Sequence, residues 1–290
     1  MLKRIILIVT EAYKKKISTS EEYLIFIGEM QKHGAGVEMY GNYGEWHQMI
    51  SKDGSTGKVQ TLFFSDDAEI LTKLQAQDLY TVALYHEGVS GLLSGTQFAI
   101  EGIRDADWEY LYKVYQRFAG EPWQITETAR CILREMYEAD VDALYELYDS
   151  PGVTRYTESL FPDKEQERSY IKDYIENVYK YYGFGTWLIH RKEDGRLIGR
   201  AGFNYRPGFE EAEIGFVIGE GFWRQGYAYE VCSHLMELAE KVYEFETVQA
   251  LVKKENTASV CLLEKLGFSY FEEVDLDGEN YQRYLAKLAL

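Results

Sequence analysis

The chain is short of positive charge: 31 Lys and Arg stand against 48 Asp and Glu, a formal net charge of −17 over 290 residues. Nucleic-acid affinity rests largely on Lys and Arg neutralising backbone phosphates, so no nucleic-acid partner is expected. Cationic small molecules or peptides suit this charge better, although many enzymes are acidic for solubility alone. Cysteine is scarce as well. Cys131, Cys232 and Cys261 are odd in number and lack metal-ligand spacing, which points to core thiols in a reducing cytoplasm and to no metal site. No apolar stretch approaches the roughly 20 residues of a membrane span, so no membrane partner is expected either. Lys3-Arg4 before Ile5–Val9 has the charge order of a secretory signal, but an apolar run this short reads as a buried strand.

What is present is an ordinary globular composition, 46% apolar and 27% charged, in a chain longer than the usual domain of roughly 100–200 residues. Two α/β domains are expected, 1–125 and 126–290. In the first, the run Ile5–Val9 precedes a helical stripe of Tyr23, Leu24, Ile27 and Met30. A strand Val59–Phe64, a helix Asp67–Ala76 and a strand Thr81–Tyr85 follow. A turn Ser90–Gly95, a strand Gln97–Ile100 and a helix Asp107–Phe118 complete the half, and the alternation implies a Rossmannoid parallel sheet. Gly120-Glu121-Pro122-Trp123 breaks the pattern.

The second half restarts with a strand Arg130–Arg134 and helices Glu138–Asp149 and Lys164–Tyr182. A strand Thr186–Arg191, a turn at Asp194-Gly195, and strands Arg196–Phe203 and Ala212–Ile218 follow. The last strand runs into Gly219-Glu220-Gly221-Phe222-Trp223-Arg224-Gln225-Gly226-Tyr227-Ala228 and a long helix. The first N–H groups of a helix lack intrahelical partners and the macrodipole adds positive charge there, so such a junction can hold a pyrophosphate. Gly226 and the small Ala228 would admit a phosphate oxygen close to the backbone. The plainer alternative is a sharp turn and nothing more.

About thirty residues on, Asn256-Thr257-Ala258-Ser259 opens a helix that ends in Leu266-Gly267-Phe268. Turn, helix, strand, Asn-x-x-Ser and Leu-Gly-Phe in this order resemble the GCN5-related N-acetyltransferase (GNAT) superfamily. Within it, the likeness is to the branch of ribosomal-protein alanine acetyltransferases, the RimJ/RimL-like type, and it covers nearly all of 126–290. The resemblance implies a mixed α/β domain that moves an acetyl group from acetyl-coenzyme A to a primary amine by direct attack in a ternary complex. The acceptor would be a protein N-terminus, a peptide or a small molecule; a homodimer is compatible, and no metal is required.

It further implies that the amides of Arg224, Gln225, Gly226, Tyr227 and Ala228 hold the pyrophosphate. Trp223 stands where the family consensus has Arg or Gln. The preceding strand would splay from its neighbour at a bulge, leaving Phe216, Val217 and Ile218 to bind the pantetheine arm and polarise the thioester. Asn256 would contact that arm while capping its helix, with Ser259 as a second contact. Glu213 is the candidate base, with Glu211 or a water chain as competitors. The tyrosine that many relatives place seven residues after the asparagine is here Leu263, so either another group such as Tyr270 or Tyr229 protonates the thiolate, or it leaves as an anion and collects a proton from solvent. The Tyr-rich segment Tyr170–Tyr182 lines either the acceptor groove or the core.

The first half is faintly similar to a degenerate haloacid dehalogenase-type domain, through Thr61-Leu62-Phe63-Phe64-Ser65-Asp66 and Tyr85-His86-Glu87-Gly88. Thr10-Glu11-Ala12 stands where the Asp-x-Asp of those phosphatases would be. Asp66-Asp67 reads as a metal site or a helix cap, and His86-Glu87 as an acid/base pair or a polar strand end. Two functions compete with transfer: a coenzyme A-binding sensor without turnover, and a hydrolase residing in the first domain.

Overall fold

The computed structural model describes residues 1–53, 60–89, 91–93 and 95–289. The chain divides into two compact units, Met1–Glu121 and Pro122–Leu290. Gly120 ends the last helix of the first unit in the left-handed conformation, φ +69°, which glycine adopts without strain.

The first unit runs β1 (Arg4–Ile8), α1 (Glu11–Ile17), α2 (Glu21–Lys32), β2 (Gly36–Tyr40) and α3 (Tyr43–Asp53), then β3 (Thr61–Ser65), α4 (Ala68–Gln75), β4 (Thr81–Tyr85), β5 (Phe98–Glu101) and α5 (Trp108–Ala119). All its strand pairs are parallel, in the order β2-β1-β3-β4-β5. That is the flavodoxin-like doubly wound order, with its switch point between β1 and β3. β1 and β3 are almost wholly buried, as continuous apolar runs covered on both faces should be.

Three elements here escaped the sequence pattern, namely α1, β2 and α3. The stripe on α2 also differs from the expected one. Tyr23, Phe26 and Met30 are buried, whereas Leu24 is 61% exposed, because the i, i+3, i+7 positions and not i+1 face the sheet. Val59, and Ser90 and Ser94 of the expected turn, lie outside the described residues.

The second unit contains β6 (Gln124–Glu127), β7 (Cys131–Arg134), α6 (Val141–Tyr148), α7 (Pro151–Thr154), α8 (Lys164–Tyr174), a π-helical turn Ile175–Tyr179, α9 (Lys180–Tyr182), β8 (Thr186–Arg191) and β9 (Leu197–Tyr205). It continues with β10 (Ala212–Ile218), α10 (Tyr227–Lys241), β11 (Thr247–Val252), α11 (Thr257–Lys265), β12 (Ser269–Leu276) and β13 (Glu279–Lys287). Its eight strands lie in the order β12-β13-β11-β10-β9-β8-β7-β6. Every pair is antiparallel except β10 with β11. A mixed sheet with one parallel pair requires a crossover, and α10 supplies it.

The core gathers Trp187, Phe203, Ile214, Val231, Leu235 and Val248, each buried from water. Fully burying one such side chain contributes roughly 1.5–3 kcal/mol. Cys131 and Cys232 sit in this core, but Cys261, on the outer face of α11, is exposed and corrects the expectation of three core thiols. Among the described residues no helix is long and apolar enough to cross a membrane.

Candidate active site

Strand β10 has two unequal neighbours. It pairs with β9 without interruption from Ala212↔Tyr205 to Ile218↔Gly199. With β11 it pairs only at Ala212↔Val248 and Glu213↔Gln249, after which the two strands diverge. β11 holds its own outer edge against β13 over six residue pairs, so the divergence opens a wedge inside the sheet. The expected splay is therefore present, but no bulge creates it, since the β9–β10 register has no irregularity.

The wedge leaves backbone groups exposed on one edge of β10. The Gly219 amide donates to the Ile198 carbonyl at 2.8 Å, which fixes the alternation of the strand. Amides of Val217 and Gly215 turn towards β9, whereas those of Ile218, Phe216 and Ile214 turn into the wedge. Of the three residues expected to bind an extended arm, Phe216 and Ile218 thus present their amides and Val217 does not. The Ile218 carbonyl is already taken by the Trp223 indole N–H at 2.6 Å. This bond gives Trp223 a job, tying the turn to the strand end, that its departure from the consensus did not suggest.

At the end of the wedge the chain turns through Glu220–Phe222 into α10. Gly226 is the N-cap residue at φ +84°, and Arg224 also has positive φ, +59°. No side chain caps this helix, so its first amides, from Tyr227 and Ala228 onward, are left for a ligand. Gln225 is committed to the turn, its side-chain amide donating to the Gly221 carbonyl at 2.9 Å. Arg130 was not among the sequence candidates. It donates to the Gln225 carbonyl at 3.0 Å, pairs with Glu230 at 2.6 Å and stacks 4.2 Å over the Tyr227 ring, placing a cation beside the turn.

A cleft of about 470 Å³ occupies the wedge, walled by Ile214–Val217 of β10 and Ala250–Val252 of β11. Asn256, Ser259 and Leu263 also line it. The Asn256 side-chain oxygen accepts from the Ser259 amide at 3.3 Å, so it caps α11 while standing at the cleft wall. A smaller cavity of about 270 Å³ shares Glu158, Arg200, Asn204, Arg206, Glu213 and Gly215 with the cleft and adds Tyr170 and Tyr174. The Tyr-rich segment divides between a cavity and the core. Tyr170 and Tyr174 line the cavity, while Tyr179 is buried in the core and its hydroxyl accepts from the Met136 amide at 3.2 Å.

Glu213 stands at the apex of the wedge, with both carboxylate oxygens held by Arg206 at 2.6 and 3.3 Å. Glu211 is engaged elsewhere, paired with Arg283 at 2.6 Å, and does not line the cleft. Tyr270 is corrected: it lies on β12, half exposed against the Tyr284 ring, outside the cleft. Tyr229 is likewise outside, under the Lys265 ammonium at 3.9 Å. The phenols that reach the cleft are Tyr156 and Tyr281. Tyr281 donates to Glu279 at 3.0 Å, and burial, then the Glu279 carboxylate, push its phenol up. No local pattern marked Tyr281, because only the β12–β13 hairpin, folding back on β11, brings it there.

In the first unit, Asp67 caps α4 by accepting from the Glu69 and Ile70 amides. Asp66 is buried, with its oxygens taken by the Thr10 amide and hydroxyl at 2.8 Å each and by His86 at 2.9 Å. Because the other His86 nitrogen accepts from the Gly88 amide at 3.0 Å, the proton sits on the nitrogen facing Asp66. Glu87 points elsewhere and pairs with Lys16. Among the described residues there is no cluster of three or more His, Cys, Asp or Glu that could hold a metal ion.

Residues 130–269 match the acetyltransferase (GNAT) domain family. Over 150 residues the chain is 33% identical to the uncharacterized N-acetyltransferase YoaA of Bacillus subtilis (strain 168), spanning 50% of this chain and 82% of that one. The chain belongs to the GNAT acetyltransferase family. Over 143 residues it is also 32% identical to the uncharacterized N-acetyltransferase p20 of Bacillus licheniformis, spanning 49% of this chain and 80% of that one. RimL, a ribosomal L7/L12 alpha-N-protein acetyltransferase of known structure, shares the fold at a TM-score of 0.50 and 19% identity, over 58% of this chain and 96% of that one. The matched segment of this acetyltransferase holds the wedge, the turn at Gly226 and Asn256 together.

Proposed function

We propose that the second unit transfers the acetyl group of acetyl-coenzyme A to a primary amine in a ternary complex. The observation that carries this reading is the wedge itself, in which β10 abandons β11 after two residue pairs and turns the Ile214 and Phe216 amides into a cleft of about 470 Å³. Such an edge takes an extended amide-bearing arm as an added strand. The uncapped start of α10 and Arg130 suit a pyrophosphate at one end, and Asn256 suits the arm in between.

The smaller cavity adjoins the cleft at Glu213, so an amine entering there meets the base beside the thioester. An α-amino group, with a pKa of about 7.7–8.0, gives up its proton more readily than a lysine at about 10.4. Glu213 accepts that proton while Arg206 fixes its orientation, the Phe216 amide stabilises the developing oxyanion, and Tyr281 supplies a proton to the departing thiolate. Three free cysteines and the deficit of basic residues fit a cytoplasmic protein with no nucleic-acid partner.

The test is release of free thiol from acetyl-coenzyme A across a panel of amines. Amine-dependent release supports transfer. Tight binding with no release from any amine would support a sensor instead. Hydrolysis by the first unit finds no footing, since the Asp66 oxygens are already occupied by Thr10 and His86.

A further inference from the structure

The charges that line the cleft do not follow the charge of the chain. Arg155, Arg200, Arg206 and Lys253 line it against Glu158, Glu213 and Glu279. Two of these cations are spent within the wall, Arg206 on Glu213 at 2.6 Å and Lys253 on Glu279 at 2.8 Å. Arg155 is exposed at the rim. Arg200 is different: it is half-buried, lines both cavities and has no ion-pair partner among the described residues.

Arg200 is also remote from the phosphate turn in the sense that matters. It lies on β9 opposite Val217, and Asn204 lies opposite Glu213, so all four share one face of the sheet. That face is covered by α6, where Tyr148 sits 5.1 Å under the Arg200 guanidinium and Val217 packs beside Leu147. It is the side from which the smaller cavity reaches Glu213. Between Val217 and Glu213 the β10 side of that face is open, because a side chain at Gly215 would meet nothing within 4 Å, whereas its partner Gly202 is covered by the Gly185 carbonyl. A guanidinium that lines both cavities without an ion-pair partner, four residues along the strand from the base, forms a receptor for an oxyanion. The planar guanidinium fork matches a carboxylate in two parallel hydrogen bonds.

We propose that Arg200 is a specificity residue and that the acceptor is an aminocarboxylate, a small primary amine whose carboxylate docks on Arg200 while its amine faces Glu213. This rests on the acetyl-transfer reading above. It reverses what the net charge of the chain suggests, since polyamines would place a second cation against Arg200.

The full chain is assayed for thiol release from acetyl-coenzyme A with matched acceptors: glycine, 4-aminobutyrate and 6-aminohexanoate, α-amino acids, and the n-alkylamines and α,ω-diamines of the same lengths. At least one aminocarboxylate is expected to exceed its alkylamine and diamine counterparts about tenfold or more in kcat/KM, mainly through KM, as loss of a charge-assisted pair would dictate. Arg200→Met should bring that ratio close to one, and Arg200→Lys should restore part of it. If alkylamines or diamines match or exceed the aminocarboxylates in the unaltered protein, the inference fails, whether or not the Arg200 variants fold. It fails equally if Arg200→Met folds and keeps the ratio. If no amine at all releases thiol, acetyl transfer itself fails, which is a different result.

Discussion

Both units carry a carboxylate at the end of a central strand, and they use it in opposite ways. In the first, Asp66 follows β3 at the switch point of a parallel sheet, where such folds commonly bind ligands. Yet Thr10 and His86 consume its oxygens, and Tyr13 stacks on His86 at 3.8 Å and closes over the pair. In the second, Glu213 precedes a wedge where sheet pairing is abandoned, and its one partner, Arg206, is itself a cavity-lining side chain with 41% exposure. Satisfied polar groups rigidify a fold; groups left facing space recognise something that is not part of the chain. The first unit therefore reads as a closed scaffold and the second as an open site.

Substitutions can break this contrast, and the largest effect is expected at the open end. Glu213→Gln should lower kcat/KM by about 10²–10⁴-fold, the usual contribution of a positioned general base, with little loss of stability because Arg206 can turn to water. Steady-state thiol release and a urea melt on the same sample check both halves. Asp66→Ala should do the reverse in the first unit, costing roughly 2–4 kcal/mol by removing the buried carboxylate that holds the Thr10 amide, the Thr10 hydroxyl and His86, as read by chemical denaturation.

Next in size, Tyr281→Phe should slow turnover about tenfold and no more, since a thiolate of pKa about 8.5 leaves partly unaided. Tyr270→Phe should leave the rate unchanged. Equal effects at the two tyrosines would mean that the cleft wall is not where the proton comes from. Smallest is the β8–β9 hairpin. Hydrogen bonds from Arg191 hold the Asp194 carboxyl down to about 2 from its ordinary 3.8. A depressed carboxylate contributes stability above the unfolded value and loses it as pH falls through the folded one, so an NMR titration of Asp194 should show its midpoint near 2.

Much of this was legible in the chain itself. Continuous apolar runs gave β1, β3 and β4, the Asp194-Gly195 turn gave the hairpin, and the glycine-punctuated junction at Gly226 and the Asn256 cap gave the starts of α10 and α11. What was missed in the cleft has one physical cause. Arg200, Tyr281 and Glu158 meet in the cleft only because β9, the β12–β13 hairpin and the segment after α7 converge there, and no residue spacing within one element encodes that. β2 and α3 were hidden for another reason: Gly36–Tyr40 is only partly buried, so its hydrophobic pattern is weak. The missing bulge is similar. A family habit suggested a register shift, whereas this chain opens its wedge by divergence alone.

The most direct test of the central claim, that the wedge between β10 and β11 receives acetyl-coenzyme A, is the unfolding of the full chain with and without that ligand. Acetyl-coenzyme A at 100 times its dissociation constant should raise stability by about 2.7 kcal/mol, a shift of several degrees in the unfolding midpoint. No shift at millimolar ligand would contradict it.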